Sequence, residues 1–288
     1  MTSRTFSAQH KQQISNGYER DGFVFPVDAI PAKQALDWRH QMEDFQQRYR
    51  DDPALPMPLN DYLRHNAHLV SSLACQIGRD DRIIDCVEPI LGPDILCWAV
   101  EIIIKDAHSS RVISWHQDLT YWGMGETPLE VTAWVALGEV TEANGCMHFI
   151  AGSHHRGQVR HEDSFDSENL LSRGQTIPDA DLEESVPVIL KPGQLSLHHG
   201  LMYHRSGPNT TSEQRVAAAI RYIRPDLKKT VGGKDYAMLV RGEDRYNNFH
   251  HVAGATQDFT QQDLQLYDAI AAVQEEALAE GAEQQLAY

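Results

Sequence analysis

The chain reads as one α+β domain with a mainly β core, a sandwich or jelly roll, and three features point there. From Ile95 to Arg224 it is a succession of short runs rich in β-branched and aromatic residues: ILCWAVEIIIK, VTAWVALGEV, CMHFIAG, VPVILK, QLSLHH and RVAAAIRYI. Turn formers separate these runs, in GPD, ANG, KPG and SGPN, the pattern of many short strands joined by tight connections. The flanks instead carry apolar residues at helical spacing.

In chain order, Phe6 to Asp21 is polar with sparse apolar positions and reads as a helix. GFVFPV follows as a short extended stretch ended by Pro26. Pro31 to Arg50 is helical, with Ala35, Trp38, Met42 and Phe45 on one side and a proline in the opening turn, where its missing N–H costs nothing. DDPALPMP is a turn-rich break, and Leu69 to Leu91 is a further helix whose Leu73, Ile77, Ile83, Ile84, Val87 and Ile90 face a core. Within the strand region, residues 153–185 are polar and charged and read as a long surface insertion. A polar loop after Arg224 leads to DFTQQDLQLYDAIAAVQEEALAE, a closing helix opened by Thr260. No internal repeat interrupts this order. The expected organisation is therefore a single domain over 1–288: a mainly helical part (1–94), a jelly-roll core (95–224), and a loop with a C-terminal helix (225–288).

Charge and cysteine usage narrow the partners. The formal net charge of −16 repels phosphate backbones and anionic bilayers, so neither nucleic acid nor membrane is expected. No apolar run approaches the roughly 20 residues of a membrane span, and MTSRTFSAQHKQQ lacks the apolar segment of a secretory signal. Cys75, Cys86, Cys97 and Cys146 lie scattered among apolar neighbours without CxxC spacing, which suits buried free thiols in a reducing compartment. A cytoplasmic protein with a small-molecule partner is the expectation; nothing in the sequence specifies an oligomeric state.

The stretch SWHQDLTYWG, Ser114 to Gly123, sets His116 two residues before Asp118. In a strand, residues i and i+2 point to one face, presenting imidazole and carboxylate together. With a second histidine from elsewhere they would make the facial triad of non-haem Fe(II) oxygenases, which leaves positions open for co-substrate and dioxygen. Among 15 histidines such a triplet can arise by chance, and another occurs at His161-Glu162-Asp163, in the charged insertion with no strand around it. Only the first is followed by matching partners. LSLHHGLMYHRSGPNTTSEQRVAAAIRYI offers His198, His199 and His204 as third arms, and then Arg215 entering an apolar strand. A buried arginine is costly unless it meets an anion, and its planar fork suits a carboxylate. The distal carboxylate of a metal-bound keto acid is one such anion; an acidic side chain of the protein is the other.

Taken together, WHQD, VTAWVAL, EANGCMHFIAGSH and the H-x-S-x-x-N-x-T-x-x-x-R run from 204 to 215 resemble the phytanoyl-CoA dioxygenase family of Fe(II)/2-oxoglutarate oxygenases. The similarity extends from YERDGF at 18–23 to RGEDRYNNF at 241–249, most of the chain. It implies a double-stranded β-helix, that is, a jelly roll flanked by helices. It further implies His116, Asp118 and His204 as iron ligands, Arg215 as partner of the 2-oxoglutarate distal carboxylate, and Ser206, Trp134 and Gln117 beside that co-substrate. Ala151 replaces the proline of the family's PGSH turn, and Arg205 stands where a glycine often follows the last histidine; in a strand Arg205 would point outward. Halogenating relatives carry a small residue at the position of Asp118, so a carboxylate there favours hydroxylation.

The expected activity is hydroxylation of an unactivated C–H bond in a small metabolite, with 2-oxoglutarate and O2 consumed and succinate and CO2 released. A compact polar or zwitterionic substrate, such as an organophosphonate or amino-acid derivative, suits the basic and aromatic residues nearby. Trp122, Tyr121, Lys105, His198 and His199 are the candidate substrate contacts. Two other readings compete: a metal- and keto-acid-binding sensor or scaffold without turnover, and a zinc hydrolase with a His2Asp site.

Overall fold

The computed structural model describes residues 6–163, 168–170, 175–182 and 184–286. Helices α1 (Ala8–Asp21), α2 (Ala32–Tyr49), α3 (Leu59–Arg64), α4 (Ser72–Gly78) and α5 (Asp81–Leu91) precede the strand region, apart from β1 (Phe23–Asp28). Strands β2 (Ile95–Lys105), β3 (Ile113–His116), β4 (Glu130–Ala136), β5 (Met147–Phe149), β6 (Glu162–Asp163), β7 (Gln175–Thr176) and β8 (Val186–Pro187) follow. The chain ends with β9 (Gln194–His198), β10 (His204–Ser206), β11 (Arg215–Ile223), β12 (Tyr236–Arg241), β13 (His250–His251) and helix α6 (Gln261–Leu286).

Seven strands make the larger sheet, in the order β1-β9-β4-β11-β2-β12-β13, and four make the smaller, β3-β10-β5-β8. Antiparallel pairing throughout, save the β12–β13 pair, and strand exchange between two sheets give the double-stranded β-helix. Alternation along β11 explains how the larger sheet serves two purposes. Val216, Ala218, Ile220 and Tyr222 face the helices and join Trp38, Ile83, Ile84 and Val87 in the main apolar core. Arg215, Ala219 and Arg221, two to six residues apart, line a cavity between the sheets. The small Ala217 and Ala219 keep room between the two arginines.

Local departures from the sequence reading have physical causes. The helix expected over Leu69–Leu91 is two helices, because Asp80 caps α5, accepting from Arg82 N at 3.0 Å. The extended stretch does not stop at Pro26: β1 continues to Asp28, since this edge strand shifts register between Val24 and Val27 and can omit a donor. Thr260 caps α6 by accepting from Asp263 N at 3.1 Å, and the helix runs on to Leu286. The segment expected as a surface insertion is anchored over β3. His161, Asn169, Gln175 and Ile177 are buried, and Ile177 N donates to Trp115 O at 2.9 Å. Residues 164–167, 171–174 and 183 of that segment lie outside the described residues.

The four cysteines are buried free thiols, and no helix among the described residues is long and apolar enough to cross a membrane.

Candidate active site

Strand pairing builds the candidate metal centre. β10 lies between β3 and β5, with His204 directly opposite His116 on one side and Phe149 on the other. The two imidazole centroids are 4.0 Å apart. β3 ends at His116, however, and Asp118 opens a short 3-10 turn over Asp118–Thr120. Gln117 between them is still extended, at φ −119° and ψ 128°, so alternation carries both side chains to one face although the strand pairing has ended.

Asp118 Oδ1 lies 3.5 Å from His116 Nε2 and 3.7 Å from His204 Nε2. Donors about 2.1 Å from a first-row metal stand about 3 Å apart at adjacent sites, so a small contraction accommodates an ion. The other imidazole nitrogens are already committed. His116 Nδ1 is 2.9 Å from Ser114 O and His204 Nδ1 is 3.0 Å from Met202 O. Carbonyl partners put the proton on Nδ1 and turn the Nε2 lone pair toward the cluster. Burial, with His116 nearby, pushes His204 down to about 3, so it is neutral, as a ligand must be. Burial opposes ionisation of Asp118, but Arg221 and the two histidines outweigh it and hold the carboxyl well below its usual range. Among the described residues, these three are the group of histidine, cysteine and acidic side chains able to hold a metal.

Sequence reasoning misses Arg221. Its Nη1 donates to Asp118 Oδ2 at 2.8 Å and to Thr132 Oγ1 at 2.7 Å, and its Nη2 to Glu101 Oε2 at 3.0 Å. One Asp118 oxygen therefore faces the histidines while the other is held by a guanidinium. Arg221 also lies 4.9 Å from the Trp122 ring centroid.

At the other end of β11, Arg215 is 2% exposed and stacks at 5.2 Å from the Trp134 ring centroid. It donates to Gly145 O, but no carboxylate among the described residues is paired with it. Burial lowers Arg215 to about 10, still charged at neutral pH. Lys105, opposite Arg215 in the β2–β11 register, is 3% exposed and donates to Ser206 Oγ at 3.0 Å and to Gly207 O. It does not reach solvent and is not among the residues lining the cavity; burial, then the charge of Arg215, bring it down to about 7. Arg215, Lys105 and the Ser206 hydroxyl thus converge with no carboxylate among the described residues paired with either basic group, a costly arrangement that a ligand carboxylate relieves.

The remaining candidates divide. Trp134, Ser206, Tyr121, Trp122 and His198 line the same cavity of about 460 Å³ as the metal cluster and Arg215. The His198 ring is 5.3 Å from that of His204 and is kept neutral by burial, then by His204. His199, one residue on, faces the opposite way, accepting from Leu201 N at 3.0 Å and packing near Tyr18 and His154. Gln117, expected beside the co-substrate, is spent on the backbone. Its Nε2 donates to Gly157 O at 2.8 Å and Leu201 O at 2.9 Å, and its Oε1 accepts from Val159 N at 2.9 Å. His161, the first residue of the other triplet, accepts from Gln117 N at 3.0 Å and so buttresses the turn between the two HxD residues. Arg205 is half-buried, its guanidinium 5.1 Å from the Trp115 ring centroid.

A jelly roll with two imidazoles and one carboxylate at the cavity wall has the donor set of mononuclear facial-triad oxygenases. The phytanoyl-CoA dioxygenase family model matches residues 18–217, and the chain belongs to this family of Fe(II)- and 2-oxoglutarate-dependent oxygenases. The apo structure of the non-heme monooxygenase ThoJ is similar at 33% identity and a TM-score of 0.82, over 94% of this chain and 99% of that one. A probable phytanoyl-CoA dioxygenase of Caenorhabditis elegans is 23% identical over 74% of this chain and 75% of its own. The L-proline trans-4-hydroxylase of Streptomyces griseoviridis is 25% identical over 72% of this chain and 84% of its own.

Proposed function

We propose that the protein hydroxylates an unactivated C–H bond of a small organic metabolite, with His116, Asp118 and His204 holding Fe(II). Arg215 receives the distal carboxylate of 2-oxoglutarate, with Ser206 and Trp134 flanking it and Lys105 adding positive charge. When bound, iron and 2-oxoglutarate supply the oxidation of the C–H bond by O2, with succinate and CO2 as by-products. The chain's own part is positional. Ser114 O and Met202 O orient the two imidazoles, Arg221 keeps Asp118 ionised, and the aromatic wall of Tyr121 and Trp122 bounds the space where a substrate C–H must lie.

The observation that carries this reading is the buried Arg215, with no carboxylate partner among the described residues, in one cavity with the His2Asp cluster. A zinc hydrolase needs no arginine for a keto acid, so the family membership and this cation together support the oxygenase reading over it. Buried free cysteines support a cytoplasmic location. The test is succinate release by the Fe(II)-loaded protein across a metabolite library, followed by mass spectrometry for a gain of one oxygen. Succinate release that no compound stimulates above the substrate-free rate would refute it in favour of a binding protein without turnover.

A further inference from the structure

The charges around the cavity can be accounted for one by one. Arg221 is shared between Asp118 and Glu101, so both carboxylates facing the cavity are already paired. Lys229 is held by Asp235 at 3.0 Å, and Arg205 packs on Trp115. Arg215 belongs to the co-substrate in the proposed oxygenase. Arg64 also lines the cavity, and among the described residues it has neither an ion pair nor a side-chain hydrogen bond.

Its placement is built into the backbone. Arg64 is the last residue of α3, and the chain then turns sharply through Asn66, which is left-handed at φ 52°. Asn66 Nδ2 donates to Gln274 Oε1 at 2.7 Å, tying this corner to α6. Arg64 is also distant from the co-substrate end. It senses Glu101, which stands four residues from Lys105 on β2, about 13 Å at about 3.3 Å per residue. Burial, then the neighbouring Arg111, disfavour the charged form of Arg64, a strain that an incoming anion relieves. A cationic substrate group, in contrast, would find Glu101 and Asp118 already occupied by Arg221.

Resting on the oxygenase reading, we infer that the substrate carries an anionic group, a carboxylate or a phosphonate-type oxyanion, and that Arg64 binds it. The guanidinium fork fits either anion with two parallel hydrogen bonds, and the position fixes which part of the substrate lies toward the metal cluster.

The test uses full-length protein loaded with Ni(II) and titrated calorimetrically, first with 2-oxoglutarate. A protein that fails to bind 2-oxoglutarate refutes the oxygenase reading, an outcome separate from any result with substrate probes. With 2-oxoglutarate saturating, butanoate, propylphosphonate, butanamide and butylamine are then titrated as probes. The expected result is that at least one of the two acids binds tenfold or more tighter than butanamide. Arg64→Gln should abolish that difference and Arg64→Lys should retain part of it, with both variants melting cooperatively. Comparing butanoate with propylphosphonate identifies which anion the site takes. Tighter binding of butylammonium than of both acids, the absence of any acid preference, or one that survives in Arg64→Gln, would overturn the inference while leaving the oxygenase reading intact.

Discussion

Replacing Arg221 with methionine removes a buried guanidinium that holds the buried Asp118, the half-buried Glu101 and a threonine hydroxyl while preserving much of the side chain's length. The three bonds lost are 2.8 Å to Asp118, 3.0 Å to Glu101 and 2.7 Å to Thr132. Breaking one side of a buried ion pair costs about 3–5 kcal/mol of stability, because the orphaned charge stays desolvated. The consequence for the site is separate. Asp118 would lose the cation that fixes its second oxygen, and removing such a partner typically lowers metal affinity about 10- to 100-fold. Anaerobic titration of Fe(II), or of Ni(II) in air, into wild type, Arg221→Met and Arg221→Lys measures this. Lysine keeps the charge but not the fork, so its affinity should fall between the other two. If Arg221→Met is folded and binds metal within twofold of wild type, the assignment of Arg221 as the positioning partner of Asp118 is wrong.

Arg215→Leu should weaken 2-oxoglutarate binding at least about 30-fold, the low end for truncating a buried charge pair at about 2 kcal/mol, while Ni(II) still binds; unchanged affinity would show that the distal carboxylate lies elsewhere. Lys105 titrates near 7 because burial and then Arg215 disfavour its charge, whereas a bound dicarboxylate favours it. Binding of 2-oxoglutarate above pH 7 should therefore take up a proton and weaken as pH rises, which calorimetry in buffers of different ionisation heat detects as a buffer-dependent enthalpy. Gln117→Ala removes three hydrogen bonds of a buried side chain that tie Gly157, Val159 and Leu201 together. It should lower stability by about 1–3 kcal/mol in chemical denaturation, and loss of 2-oxoglutarate affinity without loss of stability would instead place Gln117 at the co-substrate.

The site is legible in the sequence where chemistry forces a local pattern. His116, Asp118 and His204 are read from one triplet and one motif, and Arg215 from the cost of burying a cation in an apolar strand. The same reasoning applied six residues later reaches Arg221, which shares the face of Arg215 by strand alternation. Gln117 is set beside the co-substrate by resemblance alone, whereas alternation turns it away from the face of His116 and Asp118, where its amide is spent on the backbone. His161 and Arg64 are beyond reach for another reason. Their roles depend on tertiary meetings, of His161 with the Gln117 backbone and of the α3 corner with β2 and α6, which leave no periodic trace. The fold obeys the same division: the strands are marked by turn formers, whereas the Asp80 break between two helices depends on a single cap.

The most direct measurement is the visible charge-transfer absorption that appears when a keto acid chelates ferrous iron. Under anaerobic conditions, adding 2-oxoglutarate to the Fe(II)-loaded wild type should produce such a band, and His204→Ala should abolish it. A wild-type protein that takes up iron yet shows no band, or a His204→Ala variant that keeps it undiminished, would contradict the convergence of His116, Asp118 and His204 on one ion.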